Sequence, residues 1–177
     1  MQAALELLAE NGYAALTMER VRERSGVGKA TLYRRYGSKE ALARAAIVHL
    51  NSDIPLPGDT GSLAGDFAAV AQAVLAGAER TGALDLMPRL LSEVAGDEDM
   101  HELFFTHLVA PRRRVVRAIL ERAKARGEVR DDVNLELAVD LVVGPMIYRV
   151  IMARGQIERL GNPVEVLETL LEGLRPR

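Results

Sequence analysis

The feature that most constrains the fold is a pair of short helical patterns near the start of the chain, separated by only three residues. Apolar side chains recur at helical spacing in residues 17–25 and again in residues 29–36, with Gly26, Val27 and Gly28 between them. Gly26 supplies the permissive backbone that a tight turn needs, and Val27 is expected to fill the space between the helices. Because so short a turn makes the two helices cross steeply, the segment predicts a helix-turn-helix.

Capping residues mark where the neighbouring helices begin and end. Thr17 and Ser38 each precede a helical pattern and can accept hydrogen bonds from the free amides of its first turn, while Gly28 is a weaker N-cap. Gly12 is placed to end the first helix in a left-handed conformation. Ala30, Leu32 and Tyr33 of the third helix can turn inward. The start of the chain is therefore predicted to form helices at residues 3–10, 18–25, 29–36 and 39–51.

The remainder of the chain also shows helical spacing, and no stretch alternates apolar and polar residues long enough for a sheet, which predicts an all-α fold. Residues 51–62 concentrate Pro, Gly, Asp and Ser and predict a joint between a helix-turn-helix head (1–50) and a helical-bundle body (51–177). Helices are predicted at residues 63–81, 84–95, 97–126, 134–154 and 163–174. Pro111 and Pro145 lie inside two of these and are expected to kink them.

Charge divides the chain in the same place. Residues 1–50 carry eight bases and five acids, a net charge of +3, and the remaining 127 residues carry a net charge of −5. The chain has no cysteine, which excludes disulfides, thiolate zinc sites and cysteine nucleophiles and fits a cytoplasmic setting. No export signal is seen at the start, and the most apolar stretch, residues 141–153, is too short to span a membrane, which takes ~20 apolar residues.

The stretch from residue 29 to residue 39 carries the chemical groups that bind duplex DNA. Thr31 and Tyr33 offer hydroxyls to phosphate oxygens, and the helix that begins after Ser38 presents free amides as an anion site. Arg34 and Arg35 are the best candidates for reading bases, because a guanidinium can bind guanine O6 and N7 together. The second helix of the motif is therefore predicted to enter the major groove.

The same residues resemble the DNA-binding domain of the TetR family of bacterial transcriptional repressors, whose pattern is approximately GV-x-K-x-TLY-x-x-(F/Y)-x-SK-x-x-L. The matching positions are Gly26, Val27, Lys29, Thr31, Leu32, Tyr33, Tyr36, Ser38, Lys39 and Leu42. Residues 136–148 also resemble the penultimate helix of one C-terminal class of that family. Arg22 and Gly37 depart from the usual alanine and proline. Family members usually carry several more residues before the first helix, which leaves open whether Met1 is an internal start or such an arm is missing.

The resemblance implies a homodimer that binds palindromic duplex operator DNA as a repressor. Tyr33 and Lys39 would hold phosphates, Lys29 and Thr31 would contact the backbone or nearby base edges, and Leu32 would lie in the core. The full predicted DNA-binding set is Thr17, Lys29, Ala30, Thr31, Tyr33, Arg34, Arg35, Tyr36, Ser38 and Lys39.

The resemblance further implies that the body binds a small-molecule effector and forms the dimer. Methionine and aromatic side chains would suit an apolar or aromatic ligand. The predicted pocket residues are Phe67, Val70, Val74, Met87, Leu90, Leu91, Phe104, Phe105, Leu108 and Met146. Residues 139–153 are apolar nearly all round and the last helix carries an apolar stripe. The predicted dimer interface consists of Ile147, Val150, Ile151, Val164, Leu167, Leu170, Leu171 and Leu174.

Other readings of the chain remain open beside this one. His101 and His107 lie six residues apart, ~600° around a helix, so they cannot share a metal from one face, and neither metal nor cofactor is expected. Residues 112–114, three consecutive arginines, are expected to be solvated or to pair with acids. Catalytic motifs are absent, so the chain is not expected to be an enzyme. The alternatives are a helical-bundle enzyme or small-molecule carrier, and a DNA-binding activator or nucleoid protein without an effector.

Overall fold

The computed structural model describes residues 1–50, 58–152 and 163–175, and in these ranges the chain is helical without strands, which confirms the all-α prediction. The helices are α1 (Gln2–Asn11), α2 (Met18–Ser25), α3 (Lys29–Tyr36), α4 (Lys39–His49), α5 (Leu63–Thr81), α6 (Ala83–Val94), α7 (Glu98–Phe104), α8 (Ala110–Ala125), α9 (Leu135–Met152) and α10 (Pro163–Leu174). A π-helical turn, Phe105–Val109, joins α7 to α8.

The starts of α2 and α4 and the end of α2 are capped as predicted. Thr17 Oγ1 accepts a hydrogen bond from the Arg20 amide at 3.2 Å, and Ser38 Oγ accepts one from the Ala41 amide at 3.1 Å. Gly26 ends α2 in the left-handed conformation, with φ 69° and ψ 3°. Gly12 also has a positive φ of 76°, but its ψ of 173° is extended, so the predicted left-handed cap is wrong in detail.

The helices pack into two units, Met1–Ser52 with Ala78–Ala110, and Asp53–Gly77 with Pro111–Arg177. In the first unit α1 packs against α2, α4 and α6, and α4 packs against α7 and the π-helical turn. The core includes the predicted face of α1, with Leu5 and Leu8 fully buried. These units differ from the division predicted at residue 50, because α6 and α7 supply apolar surface to the helices of the head. The functional division into head and body stays a prediction.

Two apolar residues of the first unit, Val27 in the predicted turn and Val48 on α4, are open to solvent. Val27 in the α2–α3 turn is 39% exposed, so it does not fill the space between the two helices as predicted. Val48 on α4 is 43% exposed, since the buried face of that helix is formed by Leu42, Ala43, Ala46 and Ile47. Leu32 is the buried residue of α3, and Ala30 and Tyr33 are not turned inward.

The second unit has an apolar cluster that combines side chains of α5, α8, α9 and α10. Phe67, Ile119, Leu120, Val139 and Leu171 are among its buried members. The cluster is adjoined by an ionic network in which the Asp66 carboxylate is completely buried.

The helix predicted over residues 97–126 is interrupted by the π-helical turn before Pro111. The Ala110 amide there donates to the Phe105 carbonyl, five residues earlier. Proline has no amide hydrogen and its ring crowds the preceding turn, so a wider turn just before it is a physically reasonable accommodation. Pro145, in contrast, lies within the uninterrupted α9.

The three consecutive arginines differ from one another. Arg113 pairs with Glu136 at 3.1 Å and with Asp140, both on α9, as the acid-pairing prediction requires. Arg112 is only partly exposed, and desolvation by burial lowers its pKa to about 10, so this side chain is less solvated than that of Arg114, which is exposed. Arg112 continues the core-facing stripe of α8, four residues before the buried Val116.

Candidate DNA-binding interface

The α2–α3 turn is built from backbone hydrogen bonds and one hydroxyl. The Gly26 amide donates to the Arg22 carbonyl at 2.9 Å and ends α2, and Ser25 Oγ accepts a hydrogen bond from the Val27 amide at 3.3 Å. The chain then enters α3 after Gly28, which caps the helix without a side chain. Within the unit, α3 packs against α2 and α4.

Leu32 is the only buried side chain of α3. Lys29, Arg34 and Arg35 are exposed together with Ala30 and Thr31, and Tyr33 is 40% exposed. No acidic residue occurs between Glu23 and Glu40, so the exposed face of α3 is cationic. A cationic helix that is anchored by one apolar side chain and otherwise open to solvent has the form needed to lie in a DNA groove.

Lys29 makes an ion pair beside the turn. Its Nζ lies 3.1 Å from Glu19 Oε1 of α2 and 5.6 Å from the centroid of the Tyr33 ring. The hydrogen bond from Lys29 is the main reason that the pKa of Glu19 lies below its usual value. Both side chains of the ion pair are well exposed, so a phosphate can compete with Glu19 for the ammonium.

Tyr36, at the end of α3, is tied to the start of the chain. Its hydroxyl donates to Met1 Sδ at 3.0 Å, and the Arg35 guanidinium lies 5.5 Å from the centroid of its ring. Tyr36 is therefore partly buried, whereas Tyr33 presents its ring and hydroxyl outward. Of the two predicted tyrosines, Tyr33 is the more exposed, and its contact with a phosphate stays a prediction.

The N-terminus of α4 lies immediately after α3. The Glu40 carboxylate accepts hydrogen bonds from the backbone amide of Glu40 and from the Ser38 hydroxyl, and these hold the pKa of Glu40 below its usual value. Lys39 Nζ lies 4.1 Å from the centroid of the Tyr13 ring and 3.5 Å from the Ala14 carbonyl oxygen, which accepts its hydrogen bond. Thr17, the N-cap of α2, is exposed. The predicted DNA-binding residues thus lie on α3 and at the starts of α2 and α4.

The predicted ligand-pocket residues fall into two sets, one in each unit. In the first unit Met87, Leu90, Phe104 and Leu108 are buried and Leu91 is partly buried. Phe105 is instead 45% exposed and stacks on His101 with ring centroids 6.2 Å apart. The set in the second unit consists of the buried Phe67 and the partly buried Val70, Val74 and Met146. The pocket itself stays a prediction.

The predicted dimer-interface residues also differ in their surroundings. Leu171 and Leu174 are buried in the cluster of the second unit, and Leu167 packs against it, so these side chains have little surface left for a partner. Ile147 and Leu170 are partly exposed. The side chains of Val150, Ile151 and Val164 lie outside the described residues. The interface stays a prediction.

Neither a metal site nor a membrane span is found in the described ranges. They contain no group of three or more His, Asp or Glu side chains arranged to hold a metal ion. They also contain no helix long and apolar enough to cross a bilayer.

Comparisons with known proteins agree with this geometry. Residues 1–46 match the family described as bacterial regulatory proteins, tetR family, and residues 57–160 match the tetracyclin repressor-like, C-terminal domain. The uncharacterized HTH-type transcriptional regulator YdeS of Bacillus subtilis is 30% identical over 89% of this chain and 79% of its own length.

Two further proteins show the same likeness. The DNA-binding transcriptional repressor TetR of Mycobacteroides abscessus is 29% identical over 93% of this chain and 83% of its own length. The crystal structure of the TetR family transcription regulator SCO0332 superimposes with a TM-score of 0.65 at 29% identity, covering 99% of this chain and 96% of that one. Fold and interface together define a helix-turn-helix transcriptional regulator. The chain belongs to the TetR family.

Two features of the structure go beyond the sequence analysis: one was missed, and the other was seen only as an apolar segment without its exposed face. The first is the buried ring of Tyr13 beneath Lys39, a contact that no spacing rule connects. The second is an exposed apolar stripe on α9 formed by Leu137, Leu141, Tyr148 and Met152. The stripe has a sequence signal, because its positions recur at intervals of three to four residues when Gly144 is included.

Proposed function

We propose that this regulator is a homodimeric repressor that acts in the cytoplasm, not as an enzyme, and binds two half-sites of duplex operator DNA. The exposure of α3 carries this proposal, because one apolar side chain anchors the helix and its cations face solvent. The match to a relative named as a repressor supports the direction of control. A two-fold dimer reads half-sites about 34–36 Å apart, or a multiple of that distance.

Within this proposal the exposed residues divide into two kinds of contact. Lys29, Thr31, Tyr33 and Lys39 bind phosphates, which gives affinity for any duplex. Arg34 and Arg35 project from the later turns of α3 and read base edges, which gives sequence preference. Lys29 lies at the start of α3, and Arg34 and Arg35 lie near its end. This separation supports the division, because cations at the two ends of the helix would contact different parts of the groove.

A salt titration tests the DNA-binding proposal. Binding of the protein to a labelled duplex should weaken steeply with salt, with a slope of about −0.9 for each phosphate contact in log–log form. R34A and R35A should cost ~1–3 kcal/mol at particular base pairs and relax the preference there. R44A, at an exposed cation of α4 outside the predicted set, is the matched control and should change little. Equal losses for R34A and R35A on every sequence would remove the claim of base reading.

The stripe on α9 supports dimer formation on a face that differs from the predicted one. Leu137, Leu141, Tyr148 and Met152 are 45 to 59% exposed, which is unusual for four large apolar side chains on one face. A Cβ at Gly144 would meet no atom within 4 Å, so a partner helix can approach the backbone there. We assign this face to a second copy of the chain, because a two-fold axis lets one such stripe cover its equivalent.

Sedimentation velocity tests the dimer. L141K should shift the protein toward monomer at micromolar concentration, because each interface would bury two like charges in an apolar surface. Q72K adds the same single charge at an exposed position of α5 and should leave the dimer intact. A folded monomer for the unmodified protein, or an intact dimer for L141K, would contradict the assignment.

We further propose an apolar or aromatic effector that releases the operator. The match of residues 57–160 to a tetracyclin repressor-like C-terminal domain supports an effector site there. A ligand that favours the non-binding state by ~1–3 kcal/mol would weaken operator binding by about 5–150-fold, and operator would weaken the ligand by the same factor. Calorimetric titration of a candidate ligand with and without operator tests this reciprocity. Equal affinities in both titrations would show that the candidate is not an inducer.

A further inference from the structure

We propose that Tyr13 is a positioning residue for DNA binding, whose ring holds the Lys39 ammonium at the start of α4 where it meets a phosphate. The inference rests on the proposed phosphate contact of Lys39. Tyr13 itself reaches no DNA in this proposal, because its side chain is buried in the turn between α1 and α2.

Two groups of the same turn hold Lys39. Its Nζ lies 4.1 Å from the Tyr13 ring centroid and donates to the Ala14 carbonyl oxygen at 3.5 Å. The turn is itself held by a hydrogen bond from the Leu16 amide to the Tyr13 carbonyl at 3.1 Å. Lys39, the first residue of α4, is thereby held against Tyr13, which lies 26 positions earlier in the chain.

The contact is closer than comparable ones on the same surface. Among the cation–ring contacts of the described head, Lys29 lies 5.6 Å from Tyr33 and Arg35 lies 5.5 Å from Tyr36. A centroid distance of 4.1 Å lies well inside the ~6 Å range in which an ammonium is attracted to a ring face. Lys39 is also only partly exposed, whereas Lys29 is exposed. Its ammonium therefore lies closer to a ring face than the cations of Lys29 and Arg35 do.

Restriction of a lysine matters because its side chain loses much rotamer freedom when it binds a phosphate. An ammonium that is already held near its bound position loses less freedom on binding, which favours the complex. The ammonium can still bind a phosphate, since it has three N–H donors and only one of them bonds to the Ala14 carbonyl. Tyr13 also stays an uncharged phenol, because burial and the nearby acids Glu40, Asp99 and Asp97 raise its pKa. The ring, and not the hydroxyl, is the part that acts on Lys39.

A double-mutant cycle on a labelled duplex of arbitrary sequence tests the inference, since phosphate contacts do not depend on sequence. K39M should weaken binding and reduce the salt slope by about 0.9 for each head. Y13L should weaken binding about two- to fivefold for each head, and Y13F, which keeps the ring, should bind like the unmodified protein. In the K39M background, Y13L should cause no further loss.

Two controls separate positioning from folding. L16V alters a buried side chain of the same turn without removing the ring, and thermal unfolding of every variant shows which remain folded at the assay temperature. In the unmodified protein and in Y13F, the ring current should shift the Lys39 ε-methylene proton resonances upfield. This measurement needs no DNA, so it tests the contact even if Y13L fails to fold.

The outcomes distinguish failure of the inference from failure of the proposed function. If K39M binds duplex DNA like the unmodified protein, the phosphate contact of Lys39 is wrong and the inference falls with it. If K39M weakens binding but Y13L costs the same in both backgrounds, Tyr13 does not act through Lys39. Tighter binding by Y13L would show that the ring withholds Lys39 from DNA. Unshifted Lys39 resonances would overturn the contact itself.

Discussion

Replacement of Asp66 by asparagine should destabilise the second unit more than its small change in shape suggests. The carboxylate is 0% exposed and accepts hydrogen bonds from the Thr60 amide at 2.9 Å and the Thr60 hydroxyl at 2.8 Å. Its Oδ2 lies 3.2 Å from Arg122 Nη2 and 3.3 Å from Arg126 Nη2. The network thus connects the loop before α5 and the first turn of α5 with the end of α8 and the residue that follows it.

The expected loss follows from what asparagine keeps and what it removes. The amide oxygen can still accept from Thr60, but the negative charge between the two arginines is gone. Breaking a buried ion pair costs about 3–5 kcal/mol. The two arginine side chains remain 24% and 22% exposed, so water compensates part of that loss. We therefore expect D66N to lower the free energy of unfolding by about 2–3 kcal/mol.

Urea denaturation followed by circular dichroism, at one fixed protein concentration, measures this difference. D59N is the matched control, because Asp59 also pairs with Arg126, at 2.7 Å, but is 54% exposed. D59N should lower the free energy of unfolding by less than about 1 kcal/mol. A loss for D66N no larger than that for D59N would refute the argument that burial makes the Asp66 interaction stronger.

The pH dependence provides a second check. Burial alone would raise the pKa of Asp66, but the hydrogen bonds from Thr60 and the charges of the two arginines outweigh burial and lower it. A carboxylate whose pKa is lower in the folded state stabilises the protein above its unfolded value of ~3.9, and that contribution is lost as the pH falls through the folded value. The difference between the unmodified protein and D66N should therefore be constant near neutral pH and shrink below about pH 4.

Two further variants test the head. G12A should lower the free energy of unfolding, measured by urea denaturation, by about 1–3 kcal/mol, because Gly12 has φ 76° with ψ 173°, a conformation essentially restricted to glycine. G28A is its control, since Gly28 has φ −62°, and it should lower the free energy of unfolding clearly less. S38A should lower the free energy of unfolding by about 1 kcal/mol, because the Ala41 amide loses the hydroxyl that caps it. S92A, at an exposed position in α6, is the control, and a loss for S38A no larger than that for S92A would contradict the role of the cap.

The helices of the head and the character of α3 were predictable from sequence because their signals are local. Thr17 and Ser38 cap the helices that follow them, and Gly26 turns the chain within one residue. The exposure of Arg34 and Arg35 also follows from local pattern, since the helix has one strongly apolar position, Leu32, for its core contact. Neighbouring residues determine these features, so a short window of sequence contains the information.

Contacts between distant residues were decided only by the tertiary structure. The Tyr13–Lys39 contact and the burial of Asp66 between Arg122 and Arg126 join positions 26 to 60 residues apart, and helical periodicity does not specify which side chains meet at such separations. The apolar stripes of α9 and α10 were visible in sequence. Apolar spacing alone does not show which stripe is buried by other helices of the same chain and which is left exposed. Packing buries Leu171 and leaves Leu141 exposed, because the position and rotation of each helix depend on all the helices that pack against it.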